Sequence, residues 1–84
     1  MPAKLYSRVQ REVAEELDRA LRKHGKMANA HEGYAVILEE LDELWDEIKV
    51  RQSKRRPKKM KREANQVAAM AMRFVMEICN HADN

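Results

Sequence analysis

Between Tyr34 and Ile48 the apolar residues fall at Tyr34, Ile37, Leu38, Leu41, Leu44, Trp45 and Ile48. At about 100° per residue this recurrence gathers them on one stripe of a helix, whereas a half-buried strand would alternate every second residue. The spacing therefore predicts a helix from about Ala30 to Val50 with that stripe as its core face. Leu5, Val9, Val13, Leu17 and Leu21 recur every four residues and predict an earlier helix from about Leu5 to Lys23. Gly25, with Arg22, Lys23 and His24 in the preceding turn, is the expected stop signal. A third helix is predicted from Lys58 or Lys59 to Asn80, with Ala64, Val67, Ala68, Ala71, Phe74, Val75 and Ile78 on its core face. Only two Gly and two Pro interrupt the chain, and helix formers dominate it. The expected fold class is all-α, a helical bundle of about three main helices, with residues 1–84 as one domain.

An 84-residue domain is short of core, because small chains bury only about 60% of their unfolded surface and often need a disulfide, a metal or a second subunit. The single Cys79 excludes an internal disulfide and is read as a small buried hydrophobe. With no Cys pair and no charged-then-apolar leader, a reducing cytoplasm is expected. The longest apolar run, Val67 to Met72, falls far short of the roughly 20 residues of a membrane span, so no membrane partner is expected. Ala69, Met72, Met76 and Cys79 widen the apolar face of the third helix beyond what three helices cover. That excess predicts an intertwined oligomer, a homodimer or homotetramer. Tyr34 and Trp45 are assigned to packing, and His31 to the start of the second helix.

Charge is segregated. From Lys49 to Arg62 there are nine Lys or Arg and no acid; outside that segment 14 acidic residues face eight basic ones, a body of net charge −6. The segment contains Ser53, the pair Arg55 and Arg56, and Pro57, so Gln52 to Lys59 is expected to be a mobile, solvated connection. The shorter connector Lys26 to Ala30 carries Asn29 as a candidate cap, with Glu32 three residues on.

The acids have their own concentration. Glu39, Glu40, Asp42, Glu43, Asp46 and Glu47 fall within nine positions with no Lys or Arg among them, although like charges three and four apart repel by a few tenths of about 1 kcal/mol per pair. On the helical projection Glu40, Glu43 and Glu47 border the core stripe, and Glu63, Gln66 and Glu77 take comparable positions on the third helix. Antiparallel packing of the two helices would bring Glu40, Glu43 and Glu63 together on a hard divalent cation. A solvated acidic surface produces the same pattern.

The run His31-Glu32-Gly33-Tyr34-Ala35-Val36-Ile37-Leu38-Glu39-Glu40-Leu41-Asp42-Glu43-Leu44-Trp45 resembles the metal-binding helix of MazG-like nucleotide pyrophosphohydrolases. That family carries Glu-Glu-x-x-Glu, a variable connection, and Glu-x-x-Asp on the next helix. Glu39, Glu40 and Glu43 fit the first half, and Glu63-Ala64-Asn65-Gln66 aligns with the second, with Gln66 where the family pattern has Asp. The resemblance spans about Lys23 to Cys79. It implies a Mg²⁺-dependent hydrolase, Mn²⁺ being a possible substitute, that cleaves ribo- or deoxynucleoside triphosphates to the monophosphate and pyrophosphate. It further implies Glu40, Glu43, Glu63 and, more weakly, Gln66 as metal ligands, with Glu39 positioning a ligand or the attacking water. Lys49, Arg51, Lys54 and Arg62 are then candidate phosphate-binding residues. The alternative is a catalytically weakened helical module for nucleotide binding or for protein or nucleic-acid interaction. Nucleic acid is not the favoured partner, because no aromatic residue is interleaved with the cations for base stacking.

Overall fold

The computed structural model describes residues 3–80. It is built from α1 (Ala3–Lys23), α2 (Ala30–Ile48) and α3 (Pro57–Phe74), with a 3₁₀ turn at Gln52–Lys54 and a terminal π turn at Val75–Cys79. No strand occurs among the described residues, and none of the helices is long and apolar enough to cross a membrane. The tail His81 to Asn84 lies outside the described residues.

Each helix boundary has a local cause. Asn29 is in extended backbone and its side chain accepts from Glu32 N at 2.9 Å, while Glu32 Oε1 accepts from Ala28 N at 3.3 Å. This is a reciprocal cap that satisfies two donors at the start of α2. Pro57 opens α3, where its fixed φ suits the first helical position and its missing N–H costs nothing. Gly25 follows α1 but does not adopt a left-handed conformation. α1 ends beside a different anchor: the Gly25 carbonyl accepts from Arg73 Nη2 at 2.8 Å, and Met27 N donates to Glu77 Oε1 at 2.7 Å.

α3 is the central helix, and α1 and α2 pack against it rather than substantially against one another. Close approaches of Gly33 to Phe74, Gln66 to Glu40 and Arg56 to Glu47 show that α2 and α3 are antiparallel. Contacts of Glu12 with Lys61 and Asn65, and of Gly25 with Arg73, show that α1 runs parallel to α3. The radius of gyration is 14.3 Å, against about 12 Å for a compact chain of this length. The arrangement is an open layer and not a closed bundle.

The core is correspondingly small: Leu17 and Ala20 from α1, Ala69 and Met70 from α3, flanked by Val13, Val36 and Ile37, with Met27 also buried. The expected core stripes are displaced. On α2 the inward side carries Gly33, Val36, Ile37, Glu40, Leu44, Glu47 and Ile48, while Tyr34, Leu38, Leu41 and Trp45 remain exposed, Tyr34 by 64% and Trp45 by 57%. On α3 the buried line passes through Glu63, Met70 and Arg73, and Ala64, Ala68, Ala71 and Val75 are exposed on the opposite face. Cys79 is exposed as well, so it is not the buried hydrophobe expected. Both helices carry more apolar surface than their intrachain neighbours cover.

The connection Gln52 to Lys59, expected to be mobile, is ordered. Arg55 Nε donates to the Ile48 carbonyl at 2.9 Å, Arg56 forks onto Glu47 at 2.7 and 3.1 Å, and Lys54 N closes the 3₁₀ turn on Arg51 O at 2.7 Å. Side-chain hydrogen bonds to the end of α2 replace the contacts that a composition-based reading could not supply.

Gly33 marks the closest approach of α2 to α3. A Cβ there would lie 2.6 and 2.9 Å from the Phe74 ring and 3.1 Å from Met27 Sδ. Alanine would gain about 1 kcal/mol of helix propensity, but overpacking costs about 1–3 kcal/mol. Gly33→Ala is expected to lower the midpoint of thermal unfolding by several degrees. Gly25→Ala, where nothing lies within 4 Å of the added Cβ, is expected to leave it unchanged or raise it. Circular-dichroism melts of the two variants check the contrast.

Candidate functional site

Antiparallel pairing of α2 and α3 sets the border carboxylates of both helices against one another. Glu40 and Glu43 are one turn apart on α2, and Glu63 faces them from α3. One carboxylate oxygen from each lies within 4.8 Å of the other two. Glu63 is buried, Glu40 half-buried and Glu43 exposed, so the cluster opens from the helix interface to solvent.

The groups around it differ in what they offer. Lys59 Nζ stands 3.3 Å from Glu63 Oε1, one turn earlier on α3. The Gln66 amide lies between Glu40 and Glu63; placed nitrogen-inward, it would donate to Glu40 Oε2 at 2.8 Å and to Glu63 Oε2 at 3.2 Å. Glu40 has no ion-pair partner among the described residues. Burial comes first among the causes that raise its pKa, followed by the charge and hydrogen bond of Glu43 and then the charges of Glu63 and Glu39, and together they bring it to about 7. A proton or a cation relieves this repulsion.

The other acids predicted for the same flank are engaged elsewhere. Glu47 is held by the Arg56 fork, and Glu77 pairs with Arg73 at 3.1 Å, both side chains nearly inaccessible to solvent. Burial alone would raise Glu77, but the Arg73 guanidinium and the Met27 N–H outweigh it and hold its carboxyl below the ordinary range. Neither belongs to the cluster. Glu39 is exposed, beside Glu40 and on the wall of a cavity of about 560 Å³ enclosed by the end of α1, the α1–α2 connector, α2 and α3.

The cavity wall carries both signs of charge: Glu16, Glu32, Glu39 and Glu40 line it with Arg19, Lys23, Lys26, Arg62 and Arg73, of which Arg19 pairs with Glu16 and Arg73 with Glu77. Of the candidate phosphate-binding residues, Arg62 alone reaches it. Lys49, which pairs with Asp46 at 2.9 Å, Arg51 and Lys54 stand at the far end of α2 and are not part of its wall. Arg19, Lys23 and Lys26 were missed because they belong to α1 and its connector, whose distance in sequence from the acids hides their proximity. Arg73 was missed because its polar side chain excluded it from the apolar stripe. Its one available signal was Glu77 four residues on.

No known protein family, curated protein or solved structure matches the chain. The geometry of the carboxylates, of Gln66 between them and of the adjoining cavity is therefore what any functional reading has to use.

Glu40 supplies a test of the cluster. Its pKa is higher in the fold than the ordinary 4.5, so the folded state binds the proton more tightly than the unfolded chain and, without metal, loses stability as pH rises from the ordinary range through about 7. Glu40→Gln removes that loss. In the presence of a chelator the variant is expected to melt above the native protein at pH 8 and to match it near pH 4; a pH series of thermal melts checks both.

Proposed function

We propose that the chain is a Mg²⁺-dependent nucleoside triphosphate pyrophosphohydrolase, releasing pyrophosphate and a nucleoside monophosphate, with Mn²⁺ as a possible replacement metal. The observation that carries this reading is the convergence of Glu40, Glu43 and Glu63 from two antiparallel helices, with Glu40 also on the wall of a cavity that carries Lys23, Lys26 and Arg62. The resemblance of Glu39-Glu40-Leu41-Asp42-Glu43 and Glu63-Ala64-Asn65-Gln66 to the MazG-like pattern points the same way.

The donor set fits the ion. Three carboxylates, one of them pushed up by its neighbours, make an all-oxygen site of high negative charge that leaves room for retained waters, as Mg²⁺ requires. Glu40, Glu43 and Glu63 would hold it. Gln66 would join them with its amide oxygen inward, whereas the nitrogen-inward orientation would hold the two carboxylates together instead. Bound there, the ion supplies charge neutralisation on phosphate oxygens and a lowered pKa for water.

The remaining work belongs to the chain. Arg19, Lys23, Lys26 and Arg62 draw the triphosphate into the cavity and neutralise its oxygens. Glu39, exposed on the cavity wall, accepts a hydrogen bond from the water that attacks the α-phosphorus and takes up its proton as the bond to the bridging oxygen breaks. Pyrophosphate is the leaving group. Lys59, whose Nζ lies 3.3 Å from Glu63 Oε1, orients that carboxylate.

A second reading has its own observation. With its amide nitrogen inward, Gln66 would satisfy Glu40 and Glu63 without a cation, an arrangement that favours a catalytically weakened module that binds nucleotide in the same cavity. Pyrophosphate release from ribo- and deoxynucleoside triphosphates with Mg²⁺ or Mn²⁺ separates the two. Metal-dependent turnover is expected, with Glu43→Gln and Glu63→Gln each lowering it by roughly 100-fold. Absence of turnover, with nucleotide binding retained, establishes the module instead.

The protein acts as a homodimer or homotetramer in this proposal. Tyr34, Leu38, Leu41 and Trp45 recur at i, i+4, i+7 and i+11 on α2 and are all exposed, as are Ala64, Ala68, Ala71 and Val75 with the same spacing on α3. A second copy is the occupant that matches two helical stripes in one register. Light scattering at about 100 µM is expected to give a multiple of the 9.9 kDa chain mass, and Leu41→Lys to return it to the monomer. A monomeric native protein rejects the assembly.

A further inference from the structure

The nine cations between Lys49 and Arg62 are only partly used by the fold. Lys49 pairs with Asp46, Arg56 with Glu47, Lys59 with Glu63 and Lys61 with Glu12. Arg62 lines the cavity. Arg51, Lys54, Arg55 and Lys58 are exposed and have no carboxylate partner among the described residues. These four fall within eight consecutive positions, from Arg51 to Lys58, across the 3₁₀ turn and the first turn of α3, at the end of α2 away from the cavity.

Their support is rigid. The Arg55 bond to the Ile48 carbonyl, the Arg56 fork on Glu47 and the closed 3₁₀ turn fix the backbone that displays them. An unpaired cation cluster repels itself, and a fixed one carries that cost in the free protein. A polyanion removes it without further ordering of the chain. Acids outnumber bases by six in the rest of the sequence, so this connector carries the densest positive charge of the chain.

We propose that the α2–α3 connector is a docking surface for the phosphate backbone of double-stranded nucleic acid. The segment from Lys49 to Arg62 contains no aromatic residue, so it has no platform for stacking unpaired bases. It also offers little to a bilayer, since Val50 and Met60 are its only large apolar residues and Met60 is half-buried. Backbone contact by Arg and Lys is independent of base sequence and strongly dependent on salt. This surface is separate from the hydrolase reading and stands or falls without it.

The test is the affinity of the full chain for 20-base-pair DNA and RNA duplexes of mixed sequence, measured by fluorescence anisotropy with a chelator and no nucleotide. Four phosphate contacts predict a slope of about −3.6 in log K against log salt, a loss of roughly 150-fold between 50 and 200 mM. The triple variant Arg51→Gln, Lys54→Gln, Lys58→Gln is expected to flatten the slope to about −1, with its circular-dichroism spectrum unchanged. The matched α1 variant Lys4→Gln, Arg8→Gln, Arg11→Gln, which removes the same charge from exposed positions, is expected to keep the native slope. Binding of DNA alone or RNA alone names the duplex. No binding at 50 mM salt, equal loss in the two triple variants, or tighter binding to phosphatidylserine vesicles than to either duplex overturns the proposal.

Discussion

Arg73 and Glu77 direct their polar atoms at the chain segment that joins α1 to α2. The guanidinium meets the Gly25 carbonyl and both Glu77 oxygens, and Glu77 takes the Met27 N–H. Two buried charges thereby satisfy backbone groups that would otherwise be stranded at the end of α1, and they tie the connector to the central helix. Removing one partner of such a pair costs about 3–5 kcal/mol because the other is left buried and uncompensated. A small domain has only about 5–15 kcal/mol in total. With a core of a few aliphatic side chains, the placement of α1 beside α3, and with it the cavity, depends on this contact.

The carboxylates of α2 and α3 show how neighbours decide what identical groups do. Glu47 has an arginine fork, Glu77 a buried guanidinium and Glu63 a lysine one turn away. Glu40 has three acids and an amide. Pairing makes Glu47 and Glu77 parts of the scaffold, whereas burial and unrelieved repulsion leave Glu40 with an affinity for a positive charge. The same segregation operates at larger scale: acids collect where the helices meet at the cavity edge, and unpaired cations collect on the connector beyond it.

Apolar surface follows a related logic. α3 is central and buries one line of side chains against both neighbours, yet its opposite face carries alanines, valine and methionine that are exposed among the described residues. α2 divides its apolar stripe between α3 and solvent. An open three-helix layer of this length cannot enclose both faces, which is the physical ground for placing a second copy on them.

The sequence by itself determined the three helices, because period and capping are local properties: the stripe from Tyr34 to Ile48, the Asn29 and Glu32 cap and Pro57 act within a turn or two. It also determined that Glu40, Glu43 and Glu63 would meet once α2 and α3 paired antiparallel, since their border positions follow from the same period. Only the tertiary structure decided which apolar face turned inward, as periodicity fixes a stripe's position on a helix and not its partner. It decided as well that Arg73 and Glu77 would be buried against the α1–α2 connector, that the basic connection would be pinned by Arg55 and Arg56, and that Arg19, Lys23 and Lys26 would share a cavity with Glu39 and Glu40. The i, i+4 spacing of Arg73 and Glu77 marks the pair but not its burial, and the other outcomes depend on contacts across a turn or between helices, which periodicity within one helix does not specify.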